Sequence, residues 1–286
     1  MERELWNAVV RMLDRARCAR PKRCQFTDIE VARVCLWAAL HDRPLCWACR
    51  AASWPIHMRK RRLPSPSTIS RRVRRLGLLK LLRRALRSLC SSDASPRLIL
   101  DGKPLAVSAY SKDGQAAWGF GVRDHARGYK LHVICDEHGA ILAFALRPMN
   151  EAECVVARRL VSKSAVRGAE IYADASYDSN PLHATVDRLG MRLWAPRRRP
   201  GAGLGQRVHH PARLRCIERL EGDKRFARAC RRRRQAVERC FGNLTSFGGG
   251  LAPLPAWVRS LRRVRLWVIA KLLINSARIR LAAVPR

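Results

Sequence analysis

The chain has 286 residues, 48% of them apolar, which is enough for one medium-sized domain and a smaller one that each bury a core. Its 58 Lys and Arg side chains outnumber 22 Asp and Glu, and the formal net charge of +36 predicts a nucleic-acid partner. No apolar run approaches the ~18 residues of a membrane helix, and no signal-peptide core is present. We therefore expect a cytoplasmic protein that does not enter membranes. A ribosomal or nucleoid protein is the alternative source of such a charge.

Eleven cysteines are scattered along the chain, and their number is odd. Cys46 and Cys49 form its only Cys-x2-Cys pair, and no recognisable second pair of zinc ligands accompanies them. In a chain without a secretion signal, this pattern favours ordinary buried thiols over disulfides or a zinc site.

Residues 1–92 are predicted to be helical and to form a DNA-binding domain. Apolar residues at helical spacing indicate a first helix around Trp6, Val9 and Leu13. A second helix is expected over 29–40, because Thr27 and Asp28 form a typical helix start.

The segment 64–77 predicts a third helix, started by Ser or Thr and broken by Gly77. In this helix Ile69, Val73 and Leu76 are expected to point inward. Four arginines are expected to point outward and to contact DNA, namely Arg71, Arg72, Arg74 and Arg75. The pattern is typical of the second helix of a helix-turn-helix, which enters a major groove. A basic helix that binds phosphate without reading sequence is the alternative.

A linker of small and polar residues at 90–96 separates this domain from a predicted α/β domain over 96–286. Strands are expected at 98–101, 129–135, 140–146, 170–174 and 191–195, with a helix at 181–189. Three strands in hairpin order followed by strand, helix and strand predict a mixed sheet flanked by helices. A basic, glycine-rich loop (196–213) and helices at 235–244 and 257–281 complete the domain.

Three carboxylates stand out by their positions. Asp101 and Asp174 each close a predicted apolar strand, and Glu238 borders the apolar face of a predicted helix. Carboxylate oxygens are the ligands that Mg²⁺ prefers, and two such ions about 3.5–4 Å apart stabilise both oxygens of an in-line phosphodiester displacement. The alternative interpretation makes the two aspartates turn residues and pairs an exposed Glu238 with Arg234.

Short motifs surround these carboxylates in a fixed order. They are Leu100-Asp101-Gly102-Lys103, Gly128-Tyr129-Lys130-Leu131-His132, Asp174-Ala175-Ser176-Tyr177-Asp178, Arg234-Gln235-Ala236-Val237-Glu238-Arg239 and Phe241-Gly242-Asn243-Leu244. The ordered set resembles the DDE transposases of bacterial insertion sequences, whose catalytic domain has a ribonuclease-H-like fold. The fourth motif is similar to their helix signature Tyr-x2-Arg-x3-Glu-x6-Lys. The carboxylates lie 73 and 64 residues apart, which leaves no room for a large inserted domain.

The resemblance implies a metal-dependent enzyme acting on double-stranded DNA. Asp101 and Asp174 would bridge two Mg²⁺ ions, for which Mn²⁺ substitutes, and Glu238 would complete the metal ligands. Water would cut DNA at the terminal inverted repeats of the element, and the freed 3′-hydroxyl would attack target DNA. The resemblance also implies a bacterial, nucleoid-associated protein that assembles as a homo-oligomer on paired ends.

Further residues receive roles from the same motifs. Lys130, His132 and Arg234 are expected to contact DNA, and Arg234 is also expected to brace Glu238 one helical turn away. Tyr177 and Arg239 are expected to support the site.

Three positions depart from the family pattern, namely Arg231 in place of Tyr, Thr245 in place of Lys, and Ser176 in place of the usual Gly. A catalytically silent, sequence-specific DNA-binding protein therefore remains an alternative. A tyrosine recombinase is excluded. His210-x2-Arg213 has the spacing of its motif, but all four tyrosines precede that segment.

Overall fold

The computed structural model describes residues 2–16, 24–87, 95–108, 110–121, 124–164, 166–246, 251 and 254–282. These residues form two compact units. The helical unit consists of residues 1–90, 107–116 and 243–286, and the sheet unit consists of residues 91–106 and 117–242. Residues from 243 onward, predicted to belong to the α/β domain, group instead with the N-terminal helices. The predicted linker at 90–96 falls largely outside the described residues.

The helices and strands occur in the order expected for a helical region followed by an α/β sheet. The α-helices of the described residues are α1 (Glu2–Arg15), α2 (Asp28–Leu40), α3 (Leu45–Ala48), α4 (Pro66–Val73), α5 (Leu76–Arg87), α6 (Glu153–Val161), α7 (Asn180–Arg188), α8 (Pro211–Gly222), α9 (Lys224–Ser246) and α10 (Leu261–Ala282). The strands are β1 (Arg97–Ala106), β2 (Ala117–Phe120), β3 (His125–Asp136), β4 (Ile141–Pro148), β5 (Glu170–Tyr172) and β6 (Arg192–Trp194).

The start of α2 is fixed by a capping box, as the sequence predicts. The Thr27 hydroxyl accepts a hydrogen bond from the Glu30 amide at 3.2 Å, and the Glu30 carboxylate accepts one from the Thr27 amide at 2.8 Å. Near the other end of α2, Trp37 stacks on Trp54 with ring centroids 4.7 Å apart and meets Trp6 edge-on at 4.9 Å. The aromatic rings form the centre of the helical unit's core.

In α4, two of the predicted side-chain orientations are wrong. Ile69 and Val73 are buried as expected, but Leu76 is 64% exposed and Arg72 is only 7% exposed. The helix ends at Val73, so Leu76 begins a new helix and no longer shares the inward face. Arg72 turns inward because its guanidinium lies 3.3 Å from the buried carboxylate of Asp28.

A two-residue turn, Arg74-Arg75, joins α4 to the next helix, α5. Residues 49–65 separate α4 from α3, so α4 does not follow a short turn, as the second helix of a helix-turn-helix would. Gly77, predicted to end the helix, instead lies in the first turn of α5. A Cβ atom there would lie 2.9 Å from the Asp28 carboxylate, so glycine permits this close approach. Arg74 and Arg75 are exposed, as is Arg71, in agreement with their expected orientation.

The helix α10 is buried rather than amphipathic. All residues from Leu266 to Asn275 are buried, including Lys271, which is 3% exposed. The Lys271 ammonium group lies 2.6 Å from the Asp42 carboxylate and also donates to the Ala39 carbonyl. This ion pair allows a cation to lie within a core helix. Within the described part of the chain, no helix is long and apolar enough to cross a membrane.

The sheet unit contains one mixed sheet in the order β2-β3-β1-β5-β6, with β4 also paired to β3. β3 is antiparallel to β1, β2 and β4, while β5 and β6 are parallel to β1, which confirms the predicted mixed sheet. The Asp136 carboxylate accepts hydrogen bonds from the amides of His138 and Ala140, and Gly139 has a φ of +84°. These contacts form the predicted turn between β3 and β4.

The helices α6 and α7 cover one face of the sheet. Their apolar side chains share one core with the inward residues of β1, β3 and β5, including Ala157, Leu160, Leu182, Val186, Leu98, Leu100, Ile134 and Ile171. The sequence did not predict α6 or the four-residue strand β2, and the predicted loop 196–213 ends earlier than expected, because α8 already begins at Pro211. The nine cysteines among the described residues are free thiols, and five of them are buried, whereas Cys46 is exposed.

The buried pair of Asp28 and Arg72 gives a test of the helical unit. Asp28→Ala should lower the free energy of unfolding by about 3 kcal/mol, because it leaves a guanidinium buried without its carboxylate. Urea unfolding followed by tryptophan fluorescence measures this, since six of the eight tryptophans lie in the helical unit. Asp14→Ala is the control: its partner Arg33 lies 2.8 Å away in an exposed pair, so the loss should stay below about 1 kcal/mol. Equal losses in both variants would contradict the buried ion pair.

Candidate active site

Two aspartates are brought together by the pairing of β1 with β5. The last paired residues of these parallel strands are Ile99 and Tyr172. Extending that register by two residues places Asp101 beside Asp174. Asp101 lies inside β1, which continues to Ala106, so the prediction that it closes the strand is wrong. Asp174 follows the end of β5 and begins a short 3₁₀ helix over residues 175–177.

The Asp101 carboxylate is held in a site where its charge is costly. Its side chain is 15% exposed, and its Oδ1 accepts a hydrogen bond from the Gly102 amide at 2.7 Å. Burial, together with the neighbouring negative charge of Asp174, raises the pKa of Asp101 to about 6, although the Gly102 hydrogen bond and Arg234 act in the opposite direction. A positive charge at this position would stabilise both carboxylates.

Arg234 links Asp101 to the third predicted carboxylate. One terminal nitrogen of its guanidinium donates to Asp101 Oδ2 at 3.3 Å, and the other lies 3.6 Å from Glu238 Oε1. The second contact confirms the predicted pair one turn apart on α9. Glu238 is 62% exposed, so it lies at the rim of the site and reaches Asp101 only through the arginine.

The donor atoms suit a hard divalent cation. Asp101 and Asp174 supply carboxylate oxygens, and the guanidinium of Arg234 already lies between the carboxylates of Asp101 and Glu238. Among the residues that the structure describes, no three His, Cys, Asp or Glu side chains are arranged as a metal site. The register of β1 and β5 places the two aspartates side by side, but within the described part of the chain Glu238 does not form a common set of metal ligands with them.

A fourth carboxylate, Glu153, lies at the same site and was not predicted. It is the first residue of α6. Its Oε1 accepts a hydrogen bond from Lys130 at 2.6 Å, and its Oε2 accepts one from Ser176 at 2.7 Å. Although burial acts in the opposite direction, these two donors hold the pKa of Glu153 below its usual value. Its charge also contributes to the raised pKa of Asp101.

Two expected DNA contacts lie inside the sheet unit. Lys130 is 7% exposed and pairs with Glu153, while His132 is fully buried. Burial lowers the pKa of His132 to about 4, so the imidazole is neutral at pH 7. Both side chains are enclosed by the protein, and a DNA contact by either residue stays a prediction.

The supporting residues occupy different surroundings. Tyr177 is fully buried beneath the carboxylates, and burial and the charges of Glu153, Asp101 and Asp174 raise its pKa well above the usual value. Arg239 is exposed on α9. The Thr245 side chain lies outside the described part of the chain.

The basic loop spans residues 196–210 in the structure, because α8 begins at Pro211, and hydrogen bonds hold it beside Asp174. Arg213, just after the loop, donates two hydrogen bonds of 2.7 Å to the buried carboxylate of Asp178. Although burial acts in the opposite direction, the hydrogen bonds from Arg213 and His183 lower the pKa of Asp178 to about 2. Within the loop, Arg198 donates to the Ser176 carbonyl at 3.1 Å.

A pocket of about 560 Å³ adjoins Asp174. Its polar lining includes Arg197, Arg198, Arg231 and Arg234, and its apolar lining includes Trp194 and Ile217. Arg231, which departs from the family signature, therefore adds a positive charge to the pocket that adjoins Asp174. Glu221 also lines the pocket and pairs with Arg197, so Arg198 and Arg231 are the lining cations for which no carboxylate partner is seen among the described residues.

A mixed sheet with covering helices, and with carboxylates on neighbouring strands, is the architecture of ribonuclease-H-like enzymes that act on nucleic acids. The family model described as transposase DDE domain matches residues 93–274, more than half of the chain. The chain therefore belongs to the DDE transposase family, a family that binds DNA and acts in its transposition. Neither the comparison with curated proteins nor that with solved structures gave a match.

The fastening of the loop by Arg213 can be tested with trypsin. Arg213→Ala should make the arginines of the loop 196–210 several-fold more susceptible to cleavage, because the bidentate contact with Asp178 is lost. Arg215→Ala is the matched control on the same helix: its contact with Asp187 is exposed at both ends. Mass spectrometry of early fragments identifies the cleaved bonds. If both variants are cleaved at the wild-type rate, the contact between Arg213 and Asp178 does not hold the loop.

Proposed function

We propose that this protein cuts DNA at the ends of a mobile element and joins the freed 3′-hydroxyl to target DNA, with Asp101, Asp174 and Glu238 as its catalytic carboxylates. The observation that carries the proposal is the adjacency of Asp101, in β1, and Asp174, just beyond the end of the neighbouring parallel strand β5. Membership of the DDE transposase family supports it.

Asp101 and Asp174 would hold Mg²⁺, with Mn²⁺ as a substitute, and Glu238 would join them once Arg234 releases it. Bound divalent cations supply charge stabilisation at the attacking and leaving oxygens of the phosphodiester. The protein's own groups orient these ligands. The Gly102 amide fixes one oxygen of Asp101. The guanidinium of Arg234 pairs with the carboxylates of Asp101 and Glu238 and would bind a phosphate of the DNA once released from them.

DNA binding is assigned to exposed cations of both units. In the helical unit, Arg71, Arg74 and Arg75 project from α4 and the turn after it. Arg72 is removed from this set because its guanidinium is paired with Asp28 inside the unit. In the sheet unit, Arg234 and Arg239 are on α9, the helix that carries Glu238. Assembly as a homo-oligomer on paired DNA ends belongs to the same proposal.

A second candidate is a catalytically silent, sequence-specific DNA-binding protein. The exposed position of Glu238, held at the rim by Arg234, favours it. Both candidates bind DNA, but only the first nicks the element's ends in a metal-dependent manner.

Asp101→Asn should abolish nicking while leaving DNA affinity unchanged. The amide removes a charged metal ligand, and the loss of several kcal/mol of transition-state stabilisation corresponds to at least about 10³-fold in rate. The measurement is nicking of a duplex carrying the DNA that flanks the gene, with Mg²⁺ or Mn²⁺ and with EDTA. Asp187→Asn, an exposed aspartate of α7, is the matched control and should nick like the wild type. Equal nicking by Asp101→Asn would refute the catalytic assignment, and metal-independent binding without nicking by the wild type would favour the second candidate.

The triple substitution of Arg71, Arg74 and Arg75 by Ala should weaken DNA binding and lower its salt dependence. Each lost phosphate contact reduces the slope of log K against log salt by about 0.9, so the slope should fall by about 3. Binding isotherms at several salt concentrations measure this. A triple substitution of the exposed Arg3, Arg11 and Arg15 of α1 removes the same charge from the same unit and should change the slope much less. Identical slopes for the two variants would show that α4 is not the contact helix.

A further inference from the structure

Three side chains beside Asp174 form a connected chain that the proposed chemistry does not use. Lys130 comes from β3, Glu153 begins α6, and Ser176 lies in the 3₁₀ helix that follows Asp174. The Lys130 ammonium lies 2.6 Å from Glu153 Oε1, and the Ser176 hydroxyl lies 2.7 Å from Glu153 Oε2. The same hydroxyl lies 2.5 Å from Asp174 Oδ1. A chain of contacts from three separate elements therefore ends, through Ser176 alone, at one oxygen of the predicted metal ligand.

The Lys130–Glu153 ion pair, at the end of these contacts away from Asp174, is held rigidly by its surroundings. Lys130 is almost fully buried, and the Glu153 side chain is 21% exposed. Glu153 Oε1 accepts from Lys130, and Oε2 faces the Ser176 hydroxyl, whose single proton lies between this oxygen and Asp174 Oδ1. Glu153 also lies at the first position of α6, where the helix dipole favours a negative charge. A carboxylate held in this way is suited to bracing a neighbour.

Ser176 fixes one specific oxygen of Asp174. Its backbone amide donates to Asp174 Oδ1 at 2.8 Å, and its hydroxyl lies 2.5 Å from the same oxygen. Among the described residues, Asp174 Oδ2 accepts no hydrogen bond. A carboxylate anchored through Oδ1 by two groups of one residue keeps Oδ2 in a defined direction.

We propose that Ser176, braced by the Glu153–Lys130 ion pair, is a positioning residue that orients the Asp174 carboxylate for a divalent cation. The inference rests on the proposed function, in which Asp174 is a metal ligand. Groups that hydrogen-bond to metal ligands restrict their orientation, and removing such a partner typically costs about 10- to 100-fold in metal affinity. Glycine, the usual residue of the family pattern at this position, has no side chain for this contact.

The test measures metal binding directly, apart from nicking. Mn²⁺ is titrated into the full-length protein, and the loss of the free-ion EPR signal gives the dissociation constant. Ser176→Ala should raise that constant about tenfold. Ser162→Ala is the matched control: its hydroxyl donates to the Arg158 carbonyl on the exposed side of α6, and its removal should leave Mn²⁺ binding unchanged. Unchanged thermal unfolding of Ser176→Ala verifies that the fold is intact.

Two further variants separate positioning from a general defect. Glu153→Gln keeps the shape but removes the charge that braces Ser176. Its effect and that of Ser176→Ala should be less than additive in the double variant, because both act through one contact. Raising the Mn²⁺ concentration should restore nicking by Ser176→Ala but not by Asp174→Asn.

Asp174→Asn distinguishes the two levels of the argument. If it binds Mn²⁺ as the wild type does, the metal site itself is wrongly assigned, and the positioning role falls with it. If Asp174→Asn loses Mn²⁺ while Ser176→Ala binds it with wild-type affinity, the metal site stands and the positioning role alone is overturned.

Discussion

The repulsion between the carboxylates of Asp101 and Asp174 is the constraint around which the sheet unit is built. Parallel pairing of β1 with β5 forces these like charges together, and burial withdraws the water that would otherwise screen them. The surrounding groups offset this in different ways. The Gly102 amide and Arg234 interact with Asp101, and Ser176 binds Asp174. The result is a pair of neighbouring carboxylates whose orientation is fixed by the protein's own groups.

The sequence singled out Asp101 and Asp174 through a local signal, since each directly follows or ends a short apolar run that is visible within a few residues. Their adjacency comes from the parallel pairing of β1 with β5, whereas the continuation of β1 past Asp101 to Ala106 was not visible in that pattern. Glu153 escaped prediction because its role arises from contacts with Lys130 and Ser176, each 23 residues away. The residue before its helix, Ala152, also has no side chain that could cap the helix and so mark its start.

The errors in the helical unit have a common physical origin. Helical periodicity was extended across residues 69–76, but the turn at Arg74-Arg75 changes the phase, so Leu76 points to solvent. A basic residue usually marks an exposed face, yet Arg72 and Lys271 pair inside the unit with Asp28 and Asp42. Asp42 lies 229 residues from Lys271, and a pairing over that distance leaves no trace in a local pattern.

The helical unit is assembled from segments that flank the sheet unit in the sequence, and this has a consequence for synthesis. The buried helix α10 packs against α1, α2 and α5, but a ribosome makes it only after the whole sheet unit. The apolar surfaces of the early helices must wait for their last partner. The arginine-bearing helix α4, which also touches α10, gains its full support only in a finished polypeptide. An incomplete translation product would not present those arginines on the same scaffold.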